Sequence, residues 1–329
     1  MQAQSEPVNR ATFRIGIAAT DEEIVIDGER NEAVWENAAT AKDFFRITPI
    51  DTGLATARTE VQLTYNEDYL YAIIICYDTV LGKRPVESLR RDFSFSKNDN
   101  FIIFMDTYND QTNGFAFGVS AAGAQWDGIQ ADGGDVSLDW DCKWYSAVKE
   151  HDDHWVAEFA IPFRSIRYQD GVKEWGINFS RFSLLQNEKS AWAPVPRQFK
   201  SSTLAFTGTL QWAKPPPELG TRFSIIPFLS GQGSEDIEAG DPANSDAAAG
   251  LDAKVTLSTS LNLDLTINPD FSQVEVDRQR TNLDRFELFF PEKRQFFLEN
   301  SDLFASLGSK NIRPFFSRRI GLASPVIGG

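Results

Sequence analysis

An all-β fold, an antiparallel β-sandwich with a second β-rich segment behind it, is what this sequence predicts. Three observations predict it. Short runs that alternate apolar and polar residues, or are apolar on both faces, follow one another from Arg14 to Trp212. Turn signals rich in Asp, Asn and Gly separate them. One small helix near the N-terminus interrupts the pattern, and many short strands with so little helix argue for a sandwich.

Taken in order, Ile24-Val25-Ile26 reads as a strand. Asp27-Gly28 is a tight turn, and the stretch to Trp35 reads as a short helix whose Trp folds back onto a core. Glu60 to Tyr65 alternates, with Val61, Leu63 and Tyr65 on one face, and Leu70 to Tyr77 is apolar on both faces, as a central strand requires. Asn100 to Thr107 is similar. Phe115 to Val119, Ala124 to Ile129, Trp144 to Glu150, Trp155 to Ile161, Trp175 to Phe182 and Gly208 to Trp212 complete the set. Three prolines in Lys214-Pro215-Pro216-Pro217 cannot donate to a sheet and mark a linker. Beyond it, Arg222 to Leu229 and Leu251 to Ile267 alternate again, and Gly231 to Gly250 reads as a mobile loop. The apolar and polar faces of these later strands fit an outer-membrane barrel strand and a half-exposed sheet equally well.

At 329 residues with 42% hydrophobic and 12% aromatic content, the chain can bury a sizeable core in two domains. A net charge of -15 disfavours nucleic-acid partners, which need positive charge against phosphates, and suits a soluble exported protein that holds cations. Residues 1–7 lack the basic and apolar regions of an export signal, so they read as a mature N-terminus behind a start Met. No apolar run reaches the ~18 residues of a spanning helix, so a membrane role would use strands. Cys76 and Cys142 form a disulfide or stay as buried thiols.

The run Ile26 to Trp35 resembles the opening motif of family-9 carbohydrate-binding modules, which are calcium-associated β-sandwiches. Tyr65 to Tyr77, Asp99 to Asp106, Trp155 to Phe163 and Trp175 to Phe179 carry the resemblance across most of residues 14–212. Residues 266–275, 289–299 and 316–321 resemble the start of a poorly characterised bacterial outer-membrane β-barrel family that carries such a module ahead of its barrel. Family members continue much further, and too few strands remain here to close a barrel of at least ~8 strands, so the second segment reads as truncated. The resemblance implies residues 1–213 as the sandwich, 214–217 as linker and 218–329 as the opening of the barrel-like part. It implies an exported protein of the periplasm or outer membrane. Its partners would be an oligo- or polysaccharide and the outer membrane or one of its proteins.

Sugar binding needs flat aromatic platforms and planar polar groups. Related modules clamp a sugar between two loop Trp side chains, whereas loops 79–98 and 193–203 here contain none. They offer Phe93, Phe95 and Phe199, with Arg90, Arg91 and Arg197 nearby and Trp192 just before the second loop. Calcium takes carboxylate and carbonyl oxygens, and Asp106 and Asp110 leave a strand at a bend where they would converge or bond their own backbone. Asp132, Asp135, Asp139 and Asp141 form a looser acidic stretch. His151 and His154 flank a hairpin turn without a third zinc ligand at a familiar spacing. Glu158 and Glu174 are the acid/base pair an enzymatic alternative, polysaccharide hydrolysis, would use, although Glu158 also suits a strand face. There is no Gly-x-Ser-x-Gly elbow and no phosphate-binding glycine loop, so a non-enzymatic recognition or barrel-capping role leads. A third alternative is a docking module acting through residues 283–320, where Phe289, Phe290, Phe296 and Phe297 interleave with Lys293 and Arg294.

Overall fold

The structure, a computed structural model, describes residues 12–79, 84, 86–130, 132–138, 140–218, 222–234, 244–258 and 261–268, with Ser317 and Ile320. The chain divides into two compact units, Met1–Glu218 and Leu219–Gly329. The Phe-rich basic segment 283–320 lies outside the described residues, apart from those last two positions.

The first unit carries β1 (Arg14–Ile17), α1 (Val34–Asn37), β2 (Thr40–Ala41), β3 (Phe45–Thr48), β4 (Thr59–Tyr65), β5 (Tyr69–Tyr77), β6 (Asn100–Asp106) and β7 (Gly114–Ser120). It continues with β8 (Gln125–Gln130), β9 (Tyr145–Glu150), β10 (His154–Pro162), β11 (Glu174–Ser183), β12 (Glu188–Ala191) and β13 (Gly208–Trp212). One sheet runs β1-β13-β11-β6-β7-β8, with β12 pairing both β11 and β3; the other runs β2-β4-β5-β10-β9. The β1–β13 pair is parallel and the other pairings are antiparallel.

The two sheets face each other through alternate residues. Phe101 stacks on Phe179 within the first sheet, and Trp144 bridges Phe117 of β7 to Phe159 of β10. Tyr65 of β4 meets Trp212 of β13 edge-on at 4.8 Å, and Trp212 meets Trp175 at 4.7 Å. Trp155, Trp175, Phe159 and Phe179 are fully buried, and each such side chain contributes about 2–3 kcal/mol. Among them sits a charged network. Arg181 of β11 donates to Asp78 Oδ1 at 2.7 Å and to the Tyr77 carbonyl at 2.6 Å, joining the sheets, while Arg84 donates to Asp78 Oδ2 at 2.5 Å. Next to it Asp99 accepts from Trp155 Nε1 at 3.2 Å and from the Leu184 N–H at 3.1 Å, and burial pushes its carboxyl above the usual range.

The segment before α1 differs from its expected form. Ile24 to Ile26 belongs to none of the described strands. It lies over the outer face of the second sheet, where Ile24 and Trp35 pack on Tyr71, Ile73, Val156 and Ala160. Side chains tie this strap down in place of a ladder. Glu158 Oε2 accepts the Asp27 and Gly28 N–H groups at 2.9 and 2.8 Å. Arg30 donates to Gln62 and to the Trp35 carbonyl, and Gln62 holds the Trp35 and Ala38 carbonyls. Glu22 caps α1 by accepting from the Ala33 and Val34 N–H groups. Gly28 is required at the turn: its φ is +82°, and a Cβ there would stand 3.0 Å from the Lys149 nitrogen.

Residues 214–217 are held on the first unit. Tyr65 Oη donates to the Lys214 carbonyl at 2.9 Å, and Tyr168 Oη donates to the Pro217 carbonyl at 2.7 Å. Both cysteines are free thiols, and burial pushes each up to about 12. In the second unit, β14 (Arg222–Ser234), β15 (Asn244–Ser258) and β16 (Leu261–Ile267) form an antiparallel sheet. The expected loop from Gly231 to Gly250 is therefore a strand at both ends, because β14 and β15 stay paired as far as Ser234↔Asn244. Its small residues fit a pleated ladder as readily as a loop.

Candidate functional site

The two loops expected to hold a ligand lie over the first sheet, and they do not converge in the expected way. Phe93 is 4% exposed and packs with Ile102, Phe104, Ala116, Trp126 and Leu204, so it is core on the outer face of that sheet and no platform. Trp192 is also core: its ring meets Phe13 edge-on and leans on Phe179. Arg91 is consumed by the protein, donating to Asp127 at 2.5 Å, to the Cys142 carbonyl at 3.0 Å and to Gln125 at 3.2 Å, with Asp141 at 2.8 Å from its Nε. Phe199 is 43% exposed and rests on Phe206, and Arg197 is exposed near it, its N–H bonded to Asp51. Arg91 sits by β8 and Arg197 follows β12, four strand spacings away, roughly 19 Å. One sugar ring cannot touch both.

Between those edges lies a better-built set. Asn100, Phe182 and Lys189 are direct neighbours across β6, β11 and β12. Alternation puts them on the face opposite Phe101 and Arg181, with Ser180 two residues along. The Phe95 ring leans on Phe182 at 5.6 Å and 40°, and Lys189 Nζ stands 5.1 Å above the Phe95 ring. Asn100 Nδ2 donates to the Phe95 and Asn98 carbonyls at 2.7 and 2.8 Å and so fixes the loop that carries Phe95. Asn100 Oδ1 and Ser180 Oγ are buried without a hydrogen-bond partner. Burial, with Lys200 nearby, lowers the pKa of Lys189. Of this set Phe95 and Lys189 are partly open to solvent, and a ring face beside an amine is what a saccharide uses.

Asp106 and Asp110 take the backbone-bonding form of their two alternatives. Asp106 Oδ1 and Oδ2 accept the Asp110 and Gln111 N–H groups at 3.0 and 2.9 Å, and Asp110 accepts from Thr112 and Asn113 at 2.8 Å. Three other carboxylates do converge: Asp92, Asp127 and Asp141 bring oxygens within 4.8 Å of one another. Asp92 Oδ1 is buried and unpartnered, and burial beside Asp141 and Asp127 raises its carboxyl to about 6. This all-oxygen set fits a hard divalent cation such as calcium, with the Arg91 guanidinium standing where part of that charge would go.

Glu158 and Glu174 are not brought together. Glu158 lies on the second sheet under the Asp27-Gly28 turn, and Glu174 lies at the start of β11 against Arg14 at 3.3 Å. The His151 and His154 rings stack at 4.4 Å across the expected hairpin turn, and His154 is bonded to Asp153.

Residues 26–194 match the family described as carbohydrate family 9 binding domain-like, and residues 219–326 match a domain of unknown function, DUF5916. Endo-1,4-beta-xylanase C of Paenibacillus barcinonensis is 21% identical over 174 residues, 51% of this chain and 15% of that protein. The chain thus spans a small part of that relative's length. A family-9 carbohydrate-binding module of Caldicellulosiruptor kristjanssonii in complex with cellotriose aligns at 16% identity and a TM-score of 0.44, over 63% of this chain and 96% of that one. A putative carbohydrate-binding protein of Bacteroides uniformis aligns at 14% identity and a TM-score of 0.46, over 60% of this chain and 98% of that one.

Proposed function

We propose that the sandwich is a saccharide-recognition module, on a plain premise: the chain belongs to the carbohydrate family 9 binding domain-like family. The observation that carries this reading is the patch of Phe95, Phe182, Asn100, Ser180 and Lys189 on the outer face of the first sheet. The half-buried Phe95 ring takes the apolar face of a pyranose and the half-buried Lys189 amine its polar groups, while Phe182, Asn100 and Ser180 lie buried in the same face and support them. Calcium held by Asp92, Asp127 and Asp141 belongs to the same reading as a structural ion. The test is calorimetric titration of the full chain with a glycan panel, with and without calcium. Phe95→Ala is expected to weaken the best ligand about tenfold, the worth of one ring contact. Unchanged affinity in Phe95→Ala would place the site elsewhere. Calcium is expected to raise the thermal midpoint by mass action, and Asp141→Asn to remove that rise.

A second reading concerns the later unit and supports a place at the outer membrane. On one face of its sheet, register aligns Phe223, Ile225, Pro227 and Leu229 with Val255, Ala253, Leu251 and Ala249, and then with Leu263, Leu265 and Ile267. Phe223 is 74% and Leu229 86% exposed. The other face pairs Thr266 with Asp252 at 2.6 Å, although Ile226 is also there. From Phe223 to Leu229 the apolar run is roughly 20 Å long along the strand, about 15 Å of height at the usual barrel tilt and so a part of the lipid-facing band of an outer-membrane barrel. The full chain is expected to float with phospholipid vesicles and to stay behind when Ile225 and Leu265 are both changed to Asp. Flotation unaffected by that double change would refute the lipid-facing assignment.

A further inference from the structure

We infer that the saccharide taken by the Phe95–Lys189 patch is acidic, with a carboxylate that pairs with Lys189; this rests on the recognition reading above. The argument starts from charge. This chain has a net charge of -15, so a lysine has carboxylates to choose from. Three exposed lysines take them, Lys97 with Glu87, Lys149 with Glu29 and Lys200 with Asp135, while Lys42, Lys143, Lys173 and Lys214 are exposed to water without one among the described residues. Lys189 has no acidic partner among the described residues, although it is more buried than those three.

The sequence neighbour that would have served is used elsewhere. Glu188 points to the opposite face of β12, where it accepts from the Thr56 N–H and Oγ1 at 2.8 Å and lies 3.8 Å from Arg46. Across the ladder Lys189 faces Phe182 and Thr48, neither of which carries charge. The face of Phe95 offers the amine a weak partner through the ring quadrupole, and Lys200 adds a repelling charge. An ammonium withdrawn from water without a carboxylate is costly, and an incoming anion relieves that cost. A uronic acid supplies both groups the patch lacks: a pyranose face for the Phe95 ring and a carboxylate for the amine.

The experiment titrates the full chain with matched oligosaccharide pairs that differ in charge alone: gluco-, xylo-, manno- and galacto-configured oligomers, each as the neutral form and as the form carrying uronic acid. We expect at least one acidic member to bind tenfold or more tighter than its neutral twin, and to weaken as salt rises. Lys189→Met is expected to erase the difference between the twins, while Lys189→Arg keeps it. Lys189→Met should also melt no lower than the parent, because it removes a desolvated charge; a lower midpoint would mean that the lysine serves the fold, against the inference. Neutral twins bound as well as acidic ones, with Phe95→Ala still harmful, would overturn the acidic assignment and spare the site. No binding by any member would overturn both.

Discussion

Replacing Asp78 by alanine is expected to destabilise the sandwich by about 3–5 kcal/mol, the range for removing one partner of a buried ion pair. Asp78 stands between two guanidinium groups, Arg181 on one oxygen and Arg84 on the other, with all three side chains at most 4% exposed. Without it, Arg181 keeps its charge in a site closed to water, and Arg84 is left with the half-exposed Glu150 at 3.5 Å. Arg181 would retain the Tyr77, Arg58 and Thr59 oxygens, which are dipoles and no replacement for a carboxylate. Urea denaturation of the single variant measures the loss. The double variant Asp78→Ala with Arg181→Met separates the causes. If an unpaired charge is what costs, the double change should cost less than the two single changes summed. Additive losses would mean that the network acts as packing alone.

That network shows why some of this molecule could be read from its sequence and some could not. β5 was legible because Leu70 to Tyr77 is apolar on both faces, and β4 because Val61, Leu63 and Tyr65 alternate. Local periodicity reports local backbone. It does not report what covers a face. Ile24 to Ile26 has strand composition, yet its Val25 N–H is met by the Glu32 side chain, and the Asp27 N–H that follows is met by Glu158 from elsewhere in the fold. Phe93 sits in a loop and reads as a platform; in the fold that loop bends back and buries it against Trp126 and Leu204.

The candidate site was legible in its loops and in the Phe95 ring, and hidden in the strand residues around that ring. A charged residue in a short strand, such as Lys189, ordinarily marks a solvated face, and nothing in Glu188-Lys189-Ser190-Ala191 announces that the lysine lands on Phe95. Asp92, Asp127 and Asp141 come from three separate segments, so no spacing rule finds them. The usable signal was Arg91: an arginine beside Asp92, in a loop facing an acidic stretch, is a place for carboxylates to gather.

The fold is expected to lose stability as pH rises from about 4.5 to about 7, and Glu158 is the cause. Its side chain is fully buried beneath the opening turn, where Oε2 accepts two backbone N–H groups and Oε1 has no partner. Burial raises its carboxyl from 4.5 to about 7; the two N–H bonds pull it down, and Glu32 and Asp27 push it up again. Because the folded value exceeds the unfolded one, the folded state holds the extra proton within that window. Its contribution is whole below pH 4.5, declines through the window and is gone above about 7, a change of at most about 3 kcal/mol. Asp92, raised to about 6, titrates in the same range, so the difference between parent and Glu158→Gln isolates Glu158. The glutamine keeps an acceptor for the Asp27 and Gly28 N–H groups and carries no charge to bury. Glu158→Gln should therefore match the parent near pH 4.5 and exceed it in urea midpoint at pH 8. Glu158→Ala should fall below the parent at both, since two turn donors lose their acceptor. A parent-to-glutamine difference that stays constant from pH 4.5 to 8 would show that this carboxyl does not titrate in the window.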